Sequence, residues 1–244
     1  MSKCYVNLAG RLGNQLFQIA AGYNYCRKFD KQLIVCYNSY QLTNSHNMDI
    51  IGFYKDTIFQ NFNFGIIDEP AILLGEDSIK NFYSGNVQIG GYFQSLNFFE
   101  EFEKDYKKLL ILPKMEVINR LDVAFHIRRG DYMGDLNYAS ICNTEYFDKC
   151  FDRYDNRIIN IFTDSPEYVC QEFNSRSFNI IETGSALKDL TLISMHDTIV
   201  CSNSSFSWWA SFLGNLKSEI IVPPRWMRDN ECVEVYRREF IKLK

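Results

Sequence analysis

Between residues 122 and 222 of this 244-residue chain, short apolar runs alternate with stretches of helical periodicity. Runs such as Ile158, Ile159, Ile161 and Phe162, or Ile220, Ile221 and Val222, lack the in-and-out alternation of a half-solvated strand. They suit strands covered on both faces, as parallel sheets require. The pattern predicts strands at 122–127, 158–163, 179–182, 198–202 and 219–222, with helices over 144–154, 165–174, 186–197 and 205–213. Strands alternating with helices in this way define an α/β fold built on a parallel sheet.

The first half opens the same way, with a strand at 4–9, a glycine-containing turn and a helix over 16–29 whose Leu16, Phe17, Ala20 and Ala21 recur at helical spacing. A second strand is expected at 31–37 and another at 87–92, followed by an amphipathic helix over 96–110 that Pro113 punctuates. Residues 38–86, rich in Asn, Phe and Tyr, give no clear pattern. The expected division is an N-terminal lobe, 1–115, and a C-terminal lobe, 116–244, each large enough to bury a core.

Lys and Arg number 26 against 30 Asp and Glu, a net charge of −4. That balance argues against a general nucleic-acid binder, so any anion must be held by a local cluster. The eight cysteines are scattered, with no zinc spacing, and read as small buried thiols of a reducing compartment. No signal-like segment and no apolar run of about 18–20 residues is present, which predicts a soluble, cytoplasmic protein. The basic, mildly amphipathic segment 237–244 leaves contact with a membrane surface open.

In parallel sheets ligands gather beyond the C-terminal strand ends, and four such ends carry polar clusters. Gly10-Arg11-Leu12-Gly13-Asn14-Gln15 offers close backbone approach and a helix N-terminus, but matches neither a dinucleotide fingerprint nor a P-loop. His126, Arg128, Arg129, Gly130 and Asp131 follow a buried strand. Two arginines there suit a phosphate, or else a carboxylate network with Asp131 or Asp135. Asp164, before Ser165, Pro166 and Glu167, reads as a helix N-cap with a capping box, or as a carboxylate facing a base or ribose. Ser202, Asn203, Ser204 and Ser205 open a helix whose hydroxyls and N–H groups can take phosphate, with Trp208 and Trp209 read as core. No DxD, HExxH or GxSxG motif occurs.

Taken together, the stretches Gly10–Gln18, Gly91–Ser95, His126–Tyr132 and Ser202–Ala210 resemble the α-1,2-fucosyltransferase family, in the family's order and over nearly the whole chain. The resemblance implies a GT-B-like fold of two facing Rossmann-type lobes with parallel sheets, the acceptor on the N-terminal lobe and GDP-fucose on the C-terminal one. It implies an inverting glycosyltransferase that needs no metal or other cofactor. Its partners would be GDP-β-L-fucose and a galactose-containing glycan, whose terminal β-galactoside is fucosylated on the 2-hydroxyl.

Carried over by position, Arg128 would grip the diphosphate, with Arg129 supporting it or holding Asp131, and His126 would lie against the phosphate or nucleotide. Ser204, Ser205 and the N–H of Phe206 would cradle the β-phosphate, Asp164 would read guanine or ribose, and Gly13 and Asn14 would close over the donor. Asp131 is either the general base or a structural partner of Arg129. Two other readings stay open: a GDP-fucose transferase of different linkage, such as a protein O-fucosyltransferase, and a non-catalytic GDP-sugar or glycan-binding protein.

Overall fold

The computed structural model describes residues 1–37, 50, 54–55, 57–61, 70–116, 121–214, 218–228 and 235–243. The chain forms two compact units, Met1–Leu112 and Pro113–Lys244.

In the first unit β1 (Lys3–Asn7) leads into α1 (Leu12–Phe29), β2 (Gln32–Tyr37), β3 (Ile58–Asn61), β4 (Ile72–Leu74) and β5 (Val87–Ile89). These strands make one parallel sheet in the order β3-β2-β1-β5-β4, with Cys4 opposite both Leu33 and Val87. Helix α1 buries Leu16, Phe17, Ala20 and Ala21 as its periodicity demands. It starts four residues earlier than the apolar pattern suggests, because Gln15 and Gln18 also point inward and are almost fully buried. Much of 38–86 lies outside the described residues. Within it, β3 and β4 are short edge strands, and Ile72 and Leu73 of β4 are exposed, so neither carries a strong sequence signature.

The helix expected over 96–110 is broken. Two 3₁₀ turns, Leu96–Phe98 and Glu100–Phe102, precede a short α2 (Glu103–Leu109). Phe99 sits between them at φ −150° and ψ −2°, outside the helical region, with its buried ring edge-on to Phe17 at 5.8 Å. Burial of that ring outweighs helical continuity.

The second unit runs β6 (Val123–Ile127), α3 (Leu136–Ala139), α4 (Thr144–Arg153), β7 (Ile159–Thr163), α5 (Pro166–Glu172), β8 (Asn179–Ile180), α6 (Ala186–Ser194), β9 (Thr198–Val200), α7 (Ser205–Leu213), β10 (Glu219–Val222) and β11 (Ile241–Lys242). Its parallel sheet has the order β11-β10-β9-β6-β7-β8. Every residue of β6 is buried, as expected for a central strand covered on both faces. On one face Val123, Phe125 and Ile127 pack with Tyr146, Phe147 and Phe151 of α4 and with Phe173. The Phe125 and Phe151 rings lie 4.8 Å apart, and each such buried ring stabilises the fold by about 1.5–3 kcal/mol. The segment 237–244 supplies β11, an edge strand paired with β10.

In the first sheet the chain passes from β3 at one edge to β4 at the other, so β1 and β5 meet as non-consecutive neighbours; the second sheet reverses its winding once, between β6 and β9. The crevice at such a switch point, beyond the carboxyl ends of the strands, is where open α/β sheets bind ligands.

Candidate active site

Beyond β6 the backbone turns sharply through Arg128, Arg129 and Gly130. The Ser202 hydroxyl, at the end of β9, spans the switch point. It accepts the Arg128 N–H at 3.0 Å and donates to the His126 carbonyl at 2.5 Å. From the other side Asp164, at the end of β7, accepts the Arg129 N–H at 2.9 Å and the Gly130 N–H at 3.2 Å on one oxygen. Its second oxygen meets the Arg128 guanidinium at 2.7 Å.

Asp164 is therefore not the helix cap its sequence context suggests. The cap position of α5 is Ser165, which makes no side-chain cap bond, and Pro166 begins the helix. Burial alone would raise the Asp164 carboxyl. The Arg129 N–H, the Arg128 charge and the Gly130 N–H outweigh it and leave the pKa lowered, so the group is anionic at neutral pH.

Arg128 is held twice. Besides Asp164, its guanidinium binds Asp131 Oδ1 at 2.6 Å and lies 5.5 Å from the centre of the Tyr132 ring. Its side chain is only 12% exposed whereas Asp131 is 55% exposed, so the charge is fixed from below by Asp164 and met from the solvent side by Asp131. Arg129 takes a different path. It is buried, donates to the carbonyls of Ala139 and Cys142 at 3.2 and 2.9 Å, and lies 5.0 Å from the centre of the Tyr168 ring. It clamps the 139–142 segment and does not hold Asp131, whose guanidinium partner is Arg128.

The His126 ring is buried against Phe206, with centroids 5.2 Å apart, and its Nδ1 has no hydrogen-bond partner among the described residues. Burial first and the Arg128 charge second bring its pKa down to about 4, against a weaker opposing pull from Asp164. The imidazole is neutral at physiological pH and offers a polar edge without charge. Helix α7 starts beside it. Ser204 is the N-cap, and its hydroxyl accepts the Phe206 N–H at 3.3 Å, so that N–H is already engaged by the chain itself. Ser205 follows as the first helical residue. Asn203, which with Ser204 and Ser205 formally spells an N-glycosylation sequon, is buried and donates to the Trp226 and Tyr138 carbonyls, which closes it to modification. Trp208 and Trp209 are core, as expected.

In the first unit Gly13 and Asn14 fall in the opening turn of α1. Asn14 Oδ1 accepts from Gln94 at 2.8 Å. Gln18 does between β1 and β5 what Ser202 does at the β6–β9 switch. Its oxygen accepts the Ala9 N–H at 2.9 Å and its amide donates to the Gly91 carbonyl at 3.0 Å. The structural weight of Gln18 and Ser202 escapes a reading of charge and motif. A faint signal exists in Gln15 and Gln18, two amides one turn apart on the apolar face of a helix.

Among the described residues no group of three His, Cys, Asp or Glu side chains is arranged to hold a metal ion. The seven described cysteines are free thiols, six of them buried and Cys170 exposed, and Cys232 lies outside the described residues. Among the described residues no helix is long and apolar enough to cross a membrane.

Two parallel α/β sheets with polar clusters at their carboxyl strand ends define a GT-B glycosyltransferase fold, and solved structures agree. The fucosyltransferase NodZ from Bradyrhizobium superposes with a TM-score of 0.60 at 12% identity, covering 88% of this chain and 94% of that one. NodZ α-1,6-fucosyltransferase soaked with GDP-fucose gives a TM-score of 0.57 at the same identity, over 88% of this chain and 93% of that one. The model of glycosyl transferase family 11 matches residues 3–244, and the chain belongs to that family. An α-1,2-colitosyltransferase of Escherichia coli is 27% identical over 278 residues, covering 95% of this chain and 94% of its own length. A galactoside 2-α-L-fucosyltransferase of Caenorhabditis elegans is 28% identical over 158 residues, covering 54% of this chain and 43% of its own. The chain is thus a glycosyltransferase, of the family its motifs resemble.

Proposed function

We propose that the protein transfers L-fucose from GDP-β-L-fucose to the 2-hydroxyl of a terminal β-galactoside with inversion, and that it does so without a metal ion. The observation that carries this reading is Arg128, a nearly buried guanidinium at the switch point with one fixed carboxylate partner and one exposed one. A diphosphate can take the place of Asp131 on its solvent side while Asp164 keeps the guanidinium aimed. The GDP-fucose-soaked NodZ structure, alike in fold, supports a nucleotide-sugar donor.

In the reaction the bond from the fucose anomeric carbon to the β-phosphate oxygen breaks, and the electron pair leaves with GDP. The acceptor oxygen bonds to that carbon from the opposite face and loses its proton. Negative charge grows on the departing phosphate, so groups aimed there lower the barrier most. Arg128 supplies the charge, with the start of α7 at Ser204, Ser205 and Phe206 beside it. Neutral His126 lines the same pocket against the nucleotide, and Arg129 holds the 139–142 segment under it. Asp131, released from Arg128, is the carboxylate available to take the acceptor proton. In the N-terminal unit, proposed as the acceptor side, Gly13 and Asn14 at the opening of α1 are the residues proposed to contact substrate. The seven described cysteines, all free thiols, suit a reducing, cytoplasmic setting.

A second donor is favoured by one observation, the similarity to an α-1,2-colitosyltransferase. Colitose is fucose without its 3-hydroxyl, so one pocket can serve either sugar. Purified protein given lactose and either GDP-fucose or GDP-colitose, with and without EDTA, separates the readings. EDTA-insensitive α-1,2-fucosyllactose, identified by NMR linkage analysis, bears out the proposal. Product from GDP-colitose alone replaces the donor, a different linkage replaces the acceptor position, and GDP-fucose binding without turnover makes the protein a binding module.

A further inference from the structure

The loop leaving β5 is held in a backbone shape that its own residues resist. Gly91 has φ +147°, and Phe93 has φ +52°, in the left-handed region that a residue with a Cβ avoids. Such conformations persist only where surrounding contacts over-determine them, and they gather at functional sites. Here Gln18 donates to the Gly91 carbonyl at 3.0 Å and Glu76 accepts the Phe93 N–H at 2.7 Å. The wholly buried Phe93 ring meets Phe98 edge-on at 5.3 Å.

What this bracing presents is Tyr92. The residue is 53% exposed, and its ring makes no ring contact or hydrogen bond among the described residues. It stands beyond the C-terminal end of β5, next to β1, at the end of the sheet where open α/β folds take their ligands. Burying its ring, as Phe93 is buried, would remove apolar surface from water, yet the strained loop turns the anchor inward at Phe93 and leaves Tyr92 outside.

We propose that Tyr92 is the platform on which the acceptor sugar stacks, its phenol ring lying under the C–H face of the sugar. A β-galactoside suits this chemistry, because its axial 4-hydroxyl leaves the C–H groups at carbons 3, 4 and 5 together on the opposite face as one apolar patch. The inference deepens the acceptor side of the function proposed above and rests on it.

The test uses the full chain with Tyr92→Ala and Tyr92→Phe, measuring KM for lactose, KM for GDP-fucose, donor hydrolysis without acceptor, and saturation-transfer NMR of methyl β-galactoside in the presence of GDP. Tyr92→Ala is expected to raise the lactose KM about tenfold and to lose saturation at protons 3, 4 and 5. The donor KM and donor hydrolysis stay unchanged, and Tyr92→Phe restores acceptor binding. An unchanged lactose KM with full saturation in Tyr92→Ala overturns the platform. If the unaltered protein hydrolyses GDP-fucose but transfers to no galactoside, the acceptor reading itself fails and this inference with it, a result visible before any variant is made.

Discussion

The Ser202 hydroxyl accepts the Arg128 N–H at 3.0 Å, tying the end of β9 to the end of β6 where the sheet reverses its winding. Gln18 joins Ala9 to Gly91 between the ends of β1 and β5 in the other unit. In both units a neutral buried side chain satisfies backbone groups that the diverging strands leave unpaired, and so fixes the loops of the candidate site.

Removing these ties is expected to loosen the fold. Ser202→Ala leaves the Arg128 N–H and the buried His126 carbonyl without this partner, and Gln18→Ala removes the partner of the Ala9 N–H and the Gly91 carbonyl, which are nearer solvent. Each should lower stability by about 1–3 kcal/mol in chemical denaturation, with Ser202→Ala also lowering turnover. Because the two ties lie in different units, their effects on stability should add.

His126 sets the acid limit. Its folded pKa, about 4, lies below the ordinary 6.5, so on acidification the unfolded chain takes up this proton first. The stability it contributes is complete above about 6.5 and is lost as pH falls from there toward 4, by roughly 3 kcal/mol in all. Melting temperature should drop over that window, and less steeply in His126→Gln. The imidazole signal of His126 should show no titration between pH 6 and 8, the range of an ordinary histidine.

Gly130 has room for no side chain. A Cβ there would stand 2.5 Å from Asp164 Oδ2, the oxygen that aims Arg128. Gly130→Ala should displace that carboxylate and lower kcat/KM about 10²-fold with little change in secondary structure. Steady-state kinetics and circular dichroism together check this.

Asp164→Asn keeps an oxygen for the two N–H groups but gives up the charge on Arg128. Turnover should fall and the donor KM should rise, while Asp164→Ala should lose stability as well. The lowered carboxyl contributes stability that is present above about 3.9 and lost as pH falls through its folded value, so Asp164→Asn should flatten the acid limb of the stability curve below pH 4.

Much of the fold was legible in the chain. The central strands β6, β7, β9 and β10 are apolar on both faces, and that pattern has few other uses. The edge strands β3 and β4 and the break at Phe99 were not legible, because edge pairing and one ring's burial against Phe17 leave no periodic trace. At the site, the double arginine and the serine-rich helix start announced themselves by residue type. Which arginine meets which carboxylate did not, since Arg128 and Arg129 are adjacent and only the backbone turn at Gly130 sends one toward Asp164 and the other toward Cys142. Asp164 carried a convincing capping pattern and a different use.

Arg128 is proposed to receive the charge of the departing diphosphate, and single-turnover release of GDP from GDP-fucose in the presence of lactose measures that role. Arg128→Ala is expected to slow that step about 10²–10³-fold, with Arg128→Lys recovering only part, since an ammonium cannot bind Asp164 and a phosphate in one plane. A release rate in Arg128→Ala equal to that of the unaltered protein would show that Arg128 does not receive that charge.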